Sequence, residues 1–227
     1  MLCWDCDMLP IEFVVRRFAW GSYLLRHPAT GPAPTQPQRF DEPIVQMFHK
    51  HTVIRSPATS TPHLLEEGAA RAQYLRDGVW ADGVHTDPYI EIRPDRWLLH
   101  PAKVPFQSER ETAHGIDPVV TPEMTETIVE TLLRPAFECL ENAWPQVETV
   151  HGPIVLADCK FEVGLRRSDG VLVLGDVVDN DSWRIWPGGD PKQQLDKQCF
   201  RDGEPMTKVA SVYTLVTDLT ARLTTVP

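Results

Sequence analysis

The chain of 227 residues suits one domain of moderate size or two small lobes, and 42% hydrophobic residues are enough for a real core. Its formal net charge of −10 argues against a nucleic-acid backbone as the main partner, although a locally basic pocket can still hold a phosphorylated small molecule. There is no apolar run that could span a bilayer and no secretory signal, and five scattered cysteines are typical of free thiols, so we expect a cytoplasmic protein without a membrane partner.

The N-terminal half predicts one clear strand and a long stretch without a regular period. β-branched and aromatic residues from 11 to 17 predict a strand, and Gly21-Ser22 predicts a turn with exposed backbone N–H groups. Residues 28 to 38, dominated by Pro, Gly, Thr and Gln, predict a surface loop. We expect a short helix around residues 64 to 76, and irregular structure or short strands in the rest of the segment from 52 to 118.

The C-terminal half carries stronger patterns. Thr121-Pro122 predicts a helix start, because a hydroxyl can cap the first turn and proline fits the first helical position. Apolar residues then recur at helical spacing, and Pro135 predicts a kink or a break. Three strand-like runs follow, with a hairpin turn between the last two, at residues 153–159, 161–165 and 171–178.

A final amphipathic helix is predicted from Pro205 onward, because apolar residues recur there on one helical face. Taken together, the patterns predict an α+β fold. Its core would be an antiparallel sheet with helices packed on it, in one domain covering residues 1–227.

Acidic side chains concentrate on two of the predicted strands. In extended backbone, Asp158, Lys160 and Glu162 lie on one face, and the residues between them lie on the other. One interpretation is a polar row on a solvated sheet face. The other places the carboxylates on Mg²⁺ and the lysine on a phosphate. Asp176 ends the next strand, where a hairpin brings it near the same face, and this favours the second interpretation.

Basic residues elsewhere could complete an anion site. Arg184, flanked by two tryptophans, is either a stacked structural residue or an anion-binding fork. Arg16 and Ser22 form a second anion-binding set, although a surface arginine is more often simply solvated. Lys197 and Arg201 lie four residues apart, on one face if that segment is helical. The residues alone therefore predict an acidic Mg²⁺ site beside basic phosphate contacts.

Four segments, in order and spacing, resemble one enzyme family of purine synthesis. They are residues 6–26 (CDMLPIEFVVRRFAWGSYLLR), 156–164 (LADCKFEVG, a D-x-K-x-E-x-G strand), 176–186 (DVVDNDSWRIW) and 196–202 (DKQCFRD). The resemblance is to the phosphoribosylaminoimidazole-succinocarboxamide synthase (SAICAR synthetase) family, with a pattern close to the animal-type enzyme. It implies an ATP-dependent ligase that phosphorylates the carboxylate of carboxyaminoimidazole ribotide, after which the amine of aspartate displaces phosphate to form an amide.

The resemblance also implies site residues, ATP and Mg²⁺ as cofactors, and the ribotide and aspartate as partners. The implied groups are catalytic Asp158, Lys160 and Arg184; substrate-binding Arg16, Ser22, Lys160, Arg184, Lys197 and Arg201; and, for ATP and Mg²⁺, Glu162 and Asp176. In such a site Mg²⁺ bridges the ATP phosphates while positive side chains hold the anions in line. Asp87-Pro88 resembles an Asp-Pro of the family's central region.

The sequence also departs from the family pattern. The family begins with a β-rich lobe whose Gly-Lys-x-Lys loop covers ATP, and Met1 aligns just after that loop. We therefore expect a C-terminal lobe that lacks the ATP-loop lobe, with residues 52–118 as an irregular insertion. The expected protein partner is either a separate chain that carries this lobe or further copies of this chain in a homo-oligomer. The alternatives left open are a non-catalytic ribotide-binding protein or partner subunit, and an amide ligase for a different acid and amine.

Overall fold

A computed structural model describes residues 3–28, 36–55, 62–106, 114–195, 200 and 203–223. Two of the predicted site residues, Lys197 and Arg201, lie outside the described residues. The strands are β1 Cys6–Ala19, β2 Gln38–His49, β3 Thr52–Ile54, β4 His63–Leu65, β5 Leu75–Arg76, β6 Val79–Trp80, β7 Val84–His85, β8 Tyr89–Ile92, β9 Trp97–His100, β10 His114–Ile116, β11 Glu148–Thr149, β12 Gly152–Arg166, β13 Leu172–Gly175 and β14 Trp183–Pro187. The α-helices are α1 Ser22–Arg26, α2 Glu67–Tyr74, α3 Pro122–Ile128, α4 Arg134–Ala143 and α5 Met206–Leu223.

One antiparallel sheet dominates the described part of the chain and runs in the order β10-β9-β8-β2-β1-β12-β11. β14 pairs with the N-terminal part of β12 and β13 pairs with its C-terminal part. β12 therefore has β1 on one side and the two short strands on the other. The predicted α+β fold, an antiparallel sheet with packed helices, is confirmed.

The central strands alternate between a core face and a second face. On β1, Ile11 and Phe13 are fully buried, and on β12 Cys159 and Phe161 join the same apolar cluster. Successive side chains of a strand point to opposite faces, so the polar residues between these positions lie on the second face. This alternation places the predicted acidic row of β12 away from the core.

Helices α3 and α4 cover the core face and are joined through a π-helical segment, Val129–Leu133. Ile128, Leu133 and Phe137 of this long helical run are fully buried in the apolar cluster. The kink or break predicted at Pro135 takes the form of this π-helical segment, which interrupts the α-helix directly before Arg134. A residue without a backbone N–H can continue the helix here because the wider π turn directly before it changes the hydrogen-bond pattern.

Two other local predictions are corrected. The helix expected around residues 64 to 76 begins only at Glu67, because Leu64 lies in β4 and pairs with β3. The runs expected at residues 153–159 and 161–165 are one strand, since Lys160 between them keeps its place in the ladder. Its backbone N–H donates to the Ser182 carbonyl oxygen at 2.7 Å.

The segment from 52 to 118 contains short strands that belong to three sheets, one of which is the two-stranded pair of β5 and β6. β8, β9 and β10 extend the main sheet beyond β2, whereas β3, β4 and β7 form a separate three-stranded sheet. His49 at the end of β2 donates its backbone N–H to the Pro88 carbonyl oxygen, and Arg26 of α1 donates to the Ala102 carbonyl oxygen, so the loops after β7 and β9 lie beside β2 and α1. In the residues that the structure describes, no helix is long and apolar enough to cross a membrane.

Candidate functional site

A cleft of about 880 Å³ opens on the second face of the sheet. Five of the predicted site residues line it: Arg16, Ser22, Asp158, Lys160 and Arg184. The charged residues of the lining are Glu12, Arg16, Asp87, Lys103, Asp158, Lys160, Asp181 and Arg184. Four cations and four carboxylates thus gather in one cleft of a chain whose net charge is −10, so the cleft is less acidic than the chain as a whole and offers cations to an anionic ligand.

Asp158 holds two guanidinium groups in this cleft. The strand register pairs Asp158 with Arg16 on β1 and with Arg184 on β14. Arg16 Nη1 donates to Asp158 Oδ2 at 2.6 Å, and Arg184 Nη1 lies 3.4 Å from the same oxygen. Burial lowers the pKa of Arg16, Asp158 acts in the opposite direction, and Arg184 lowers it further. One carboxylate between two guanidinium groups leaves a net positive charge, which favours a bound phosphate or carboxylate.

Gly21 permits the close approach of α1 to Arg184. Its φ of 60° and ψ of −130° belong to a region that side chains avoid. A Cβ atom added at Gly21 would lie 2.7 Å from Arg184 Nη1, which is too close for a non-bonded contact. The glycine therefore allows Ser22, the first residue of α1, to lie on the same wall of the cleft as Arg184.

Lys160 is surrounded by carboxylates from β1, from its own strand β12 and from the loop between β13 and β14. Its Nζ lies 3.8 Å from Glu12 Oε2 on β1 and 3.7 Å from Glu162 Oε1 on its own strand. Burial lowers the pKa of Lys160, but Glu12, Glu162, Asp176 and Asp181 together raise it more, so the pKa lies above its ordinary value. Lys160 is therefore an ammonium cation at neutral pH and can hold an anionic group in the cleft.

Glu162 and Asp176, predicted for Mg²⁺ and ATP, lie beside the cleft rather than in its lining. Glu162 Oε2 already accepts a hydrogen bond from Lys50 Nζ at 2.6 Å. Asp176 is exposed, has a φ of 60°, and directly follows Gly175, the residue paired with Glu162. In the described ranges, no three His, Cys, Asp or Glu residues are close enough to hold a metal ion. Both carboxylates lie close enough to Lys160 to raise its pKa, and Mg²⁺ in proteins usually takes one or two carboxylates together with phosphate oxygens and waters.

Asp87 and Lys103 face this cluster from the loops that follow β7 and β9. Asp87 has a φ of 45°, which is uncommon outside glycine. Desolvation by the cleft walls raises the pKa of the Asp87 carboxyl and Glu67 adds to the rise, while Lys103, Lys160 and Lys50 act in the opposite direction. A raised carboxyl pKa in a cleft is a feature of functional sites.

Comparison with known proteins identifies the family of this chain. The sequence profile of the SAICAR synthetase family matches residues 1–77 and 109–217. The chain belongs to the SAICAR synthetase family. The phosphoribosylaminoimidazole-succinocarboxamide synthase of Chloroflexus aurantiacus is 33% identical over 223 residues, which are 96% of this chain and 64% of that relative. The chain therefore spans just under two thirds of the length of this SAICAR synthetase.

Two further matches are a bifunctional protein and a solved structure. The bifunctional phosphoribosylaminoimidazole carboxylase/phosphoribosylaminoimidazole succinocarboxamide synthetase of Rattus norvegicus is 32% identical over 204 residues, 89% of this chain and 35% of that protein. A solved structure, SAICAR synthetase (Type-2) in complex with ADP, covers 95% of this chain and 64% of its own, with a TM-score of 0.54 and 21% identity. At that identity the structural likeness shows the fold alone.

The family resemblance is thus confirmed, and the structure adds residues in or beside the cleft that sequence reasoning missed. Glu12 could have been found, because it shares the alternating face of β1 with Arg16. Lys50 and Lys103 carried no local pattern that distinguished them from solvated lysines. They reach the site through contacts over long sequence distances, such as that between Lys50 and Glu162.

Proposed function

We propose that this chain binds carboxyaminoimidazole ribotide in the cleft and takes part in the ATP-dependent ligation of aspartate to the ribotide carboxylate. Family membership and the names of the relatives support the proposal. The observation that carries it is the convergence of Arg16, Lys160 and Arg184, from three neighbouring strands, on one cleft of about 880 Å³. A ribotide carries a phosphate and a carboxylate, and the cleft offers separate cations for each.

The proposed roles follow the charges of the cleft. Arg16 and Arg184, held by Asp158, would bind one anionic group by charge-assisted hydrogen bonds, with Ser22 adding a hydroxyl. Lys160 would bind the reacting carboxylate and stabilise the negative charge that develops on it during acyl transfer. Lys197 and Arg201 would add further cations by the family resemblance.

The ATP and Mg²⁺ that the family implies would be held by Glu162 and Asp176. When bound, they would supply a phosphoryl group for the ribotide carboxylate and neutralise phosphate charge during its transfer. The fit of two carboxylates beside the cleft supports this assignment, as does the ADP bound to a solved relative of the same fold. Lys50 would move off Glu162 or share it with the metal.

The test is ADP release by the purified chain with ATP, Mg²⁺, carboxyaminoimidazole ribotide and aspartate, omitting each in turn. ADP release that requires both the ribotide and aspartate would support the ligase. Calorimetric binding of the ribotide without ADP release under any combination would replace the ligase by a ribotide-binding role. A chain that neither binds the ribotide nor releases ADP would overturn the proposal, and ADP release with another acid or amine would change its substrates.

A further inference from the structure

A buried arginine lies behind the wall of the cleft. Arg26, the last residue of α1, is fully buried and is not part of the cleft lining. Its guanidinium carbon lies 5.1 Å from the ring centre of Phe48 and 4.9 Å from that of Tyr89. Its Nη1 donates to the Ala102 carbonyl oxygen at 2.9 Å. Burying a charge is costly unless the charged group is paired or hydrogen-bonded, so the contacts of this guanidinium are needed to hold it here.

The other terminal nitrogen of Arg26, Nη2, connects this residue through Gln46 to Arg16, one of the cations that line the cleft. Arg26 Nη2 donates to Gln46 Oε1 at 2.8 Å, and the same oxygen accepts from Arg16 Nε at 3.1 Å. Gln46 is 4% exposed and lies on β2, next to β1. A single amide oxygen therefore bridges two guanidinium groups. Because this acceptor is neutral, it orients Arg16 without cancelling its positive charge.

We propose that Arg26 and Gln46 are positioning residues for anion binding. Gln46 fixes the Nε side of Arg16 while Asp158 fixes its Nη1, so the guanidinium is held in one orientation before the ligand arrives. Through Ala102 the same Arg26 anchors the loop that carries Lys103 on another wall of the cleft. The identity of the anion, a ribotide phosphate or carboxylate, rests on the proposed function.

The test compares Gln46→Met, which removes the acceptor at similar volume, with Gln46→Glu, which keeps an acceptor oxygen in place. Two readouts are needed: ribotide affinity by calorimetry, and the ¹⁵N–¹H signal of Arg16 Nε in NMR, assigned with Arg16→Lys. We expect Gln46→Met to weaken ribotide binding about 10-fold, which corresponds to about 1.4 kcal/mol, and to increase solvent exchange of the Nε proton. Gln46→Glu should retain the slow exchange of that proton.

The matched control is Glu141→Gln. Glu141 Oε2 accepts from Nη2 of the neighbouring Arg17 at 2.6 Å, on the side of β1 that faces α4. This change weakens a partly buried ion pair between Arg17 of β1 and Glu141 of α4. It should lower the Tm without altering ribotide affinity or the Arg16 signal. If Gln46→Met does not fold, Arg26→Lys replaces it, because an ammonium group cannot reach both Gln46 and Ala102 as the guanidinium does.

The outcomes separate the inference from the proposed function. A folded Gln46→Met, or its Arg26→Lys replacement, that keeps the wild-type affinity and Nε exchange would overturn the positioning role. Equal losses of affinity in that variant and in Glu141→Gln would also overturn it, because they would indicate a general loss of stability. If the wild-type chain does not bind the ribotide, the proposed function fails, and the Nε exchange then decides the positioning role alone.

Discussion

Replacing Gly21 by alanine should weaken both the fold and anion binding, for two separable reasons. The backbone of Gly21, with φ of 60° and ψ of −130°, is strained for any residue with a side chain. The new Cβ would lie 2.7 Å from Arg184 Nη1, so the guanidinium must withdraw from its position beside Asp158. The first effect acts on stability, and the second acts on the anion site.

The magnitudes follow from these two contacts. Backbone strain of this kind costs on the order of 1–3 kcal/mol, and about 2 kcal/mol lowers the Tm of a domain of this size by about 4–8 °C. Loss of one guanidinium from a two-arginine anion site should weaken ribotide binding by at least about 10-fold, or about 1.4 kcal/mol. Thermal unfolding by circular dichroism measures the first quantity, and calorimetric titration of the folded variant with carboxyaminoimidazole ribotide measures the second.

Gly170→Ala is the matched control. Gly170 also has a positive φ, 71°, but no atom lies within 4 Å of the Cβ that alanine would add. It should lose about 1 kcal/mol of stability from the backbone alone and keep its ribotide affinity. If Gly21→Ala and Gly170→Ala lose the same stability and both bind the ribotide like the wild type, the argument for a Gly21–Arg184 contact is wrong.

Three further predictions test other parts of the site and the fold. Lys160→Met should reduce ribotide affinity by at least about 100-fold in calorimetry, because the surrounding carboxylates lose their cation; unchanged affinity would remove Lys160 from the site. Burial, with a contribution from His51, lowers the pKa of His49 from 6.5 to about 4, so the unfolded chain binds more protons between these values. The stability contributed by neutral His49 is complete above pH 6.5 and declines toward pH 4 by about 1–3 kcal/mol in urea titrations, and His49→Asn should flatten this decline; identical slopes would contradict the assignment. Burial and Asp158 raise the pKa of the Cys159 thiol, so native protein treated with a thiol reagent should be modified at exposed Cys139 and spared at Cys159, as mass spectrometry can show; rapid native labelling of Cys159 would contradict its burial.

Local patterns in the sequence predicted much of the fold, because they depend on short-range geometry. The period of a strand put Asp158, Lys160 and Glu162 on one face of β12, and this agrees with Asp158 and Lys160 in the cleft lining and Cys159 and Phe161 in the apolar core. Thr121-Pro122 predicted the start of α3, where the Thr121 hydroxyl accepts from the Met124 backbone N–H at 3.1 Å. The kink or break predicted at Pro135 also depends on local geometry, because a π-helical segment interrupts the α-helix directly before Arg134.

The sequence by itself determined which faces of β1 and β12 are apolar and which residue types were available for anion binding. Only the tertiary structure decided which of them meet. The pairing of β12 with β1 and β14 brings Arg16 and Arg184 to the same oxygen of Asp158. Lys50 reaches Glu162 over 112 positions of the chain. Such contacts depend on strand order and register, which are set by the packing of the whole core and leave no periodic trace in the residues themselves.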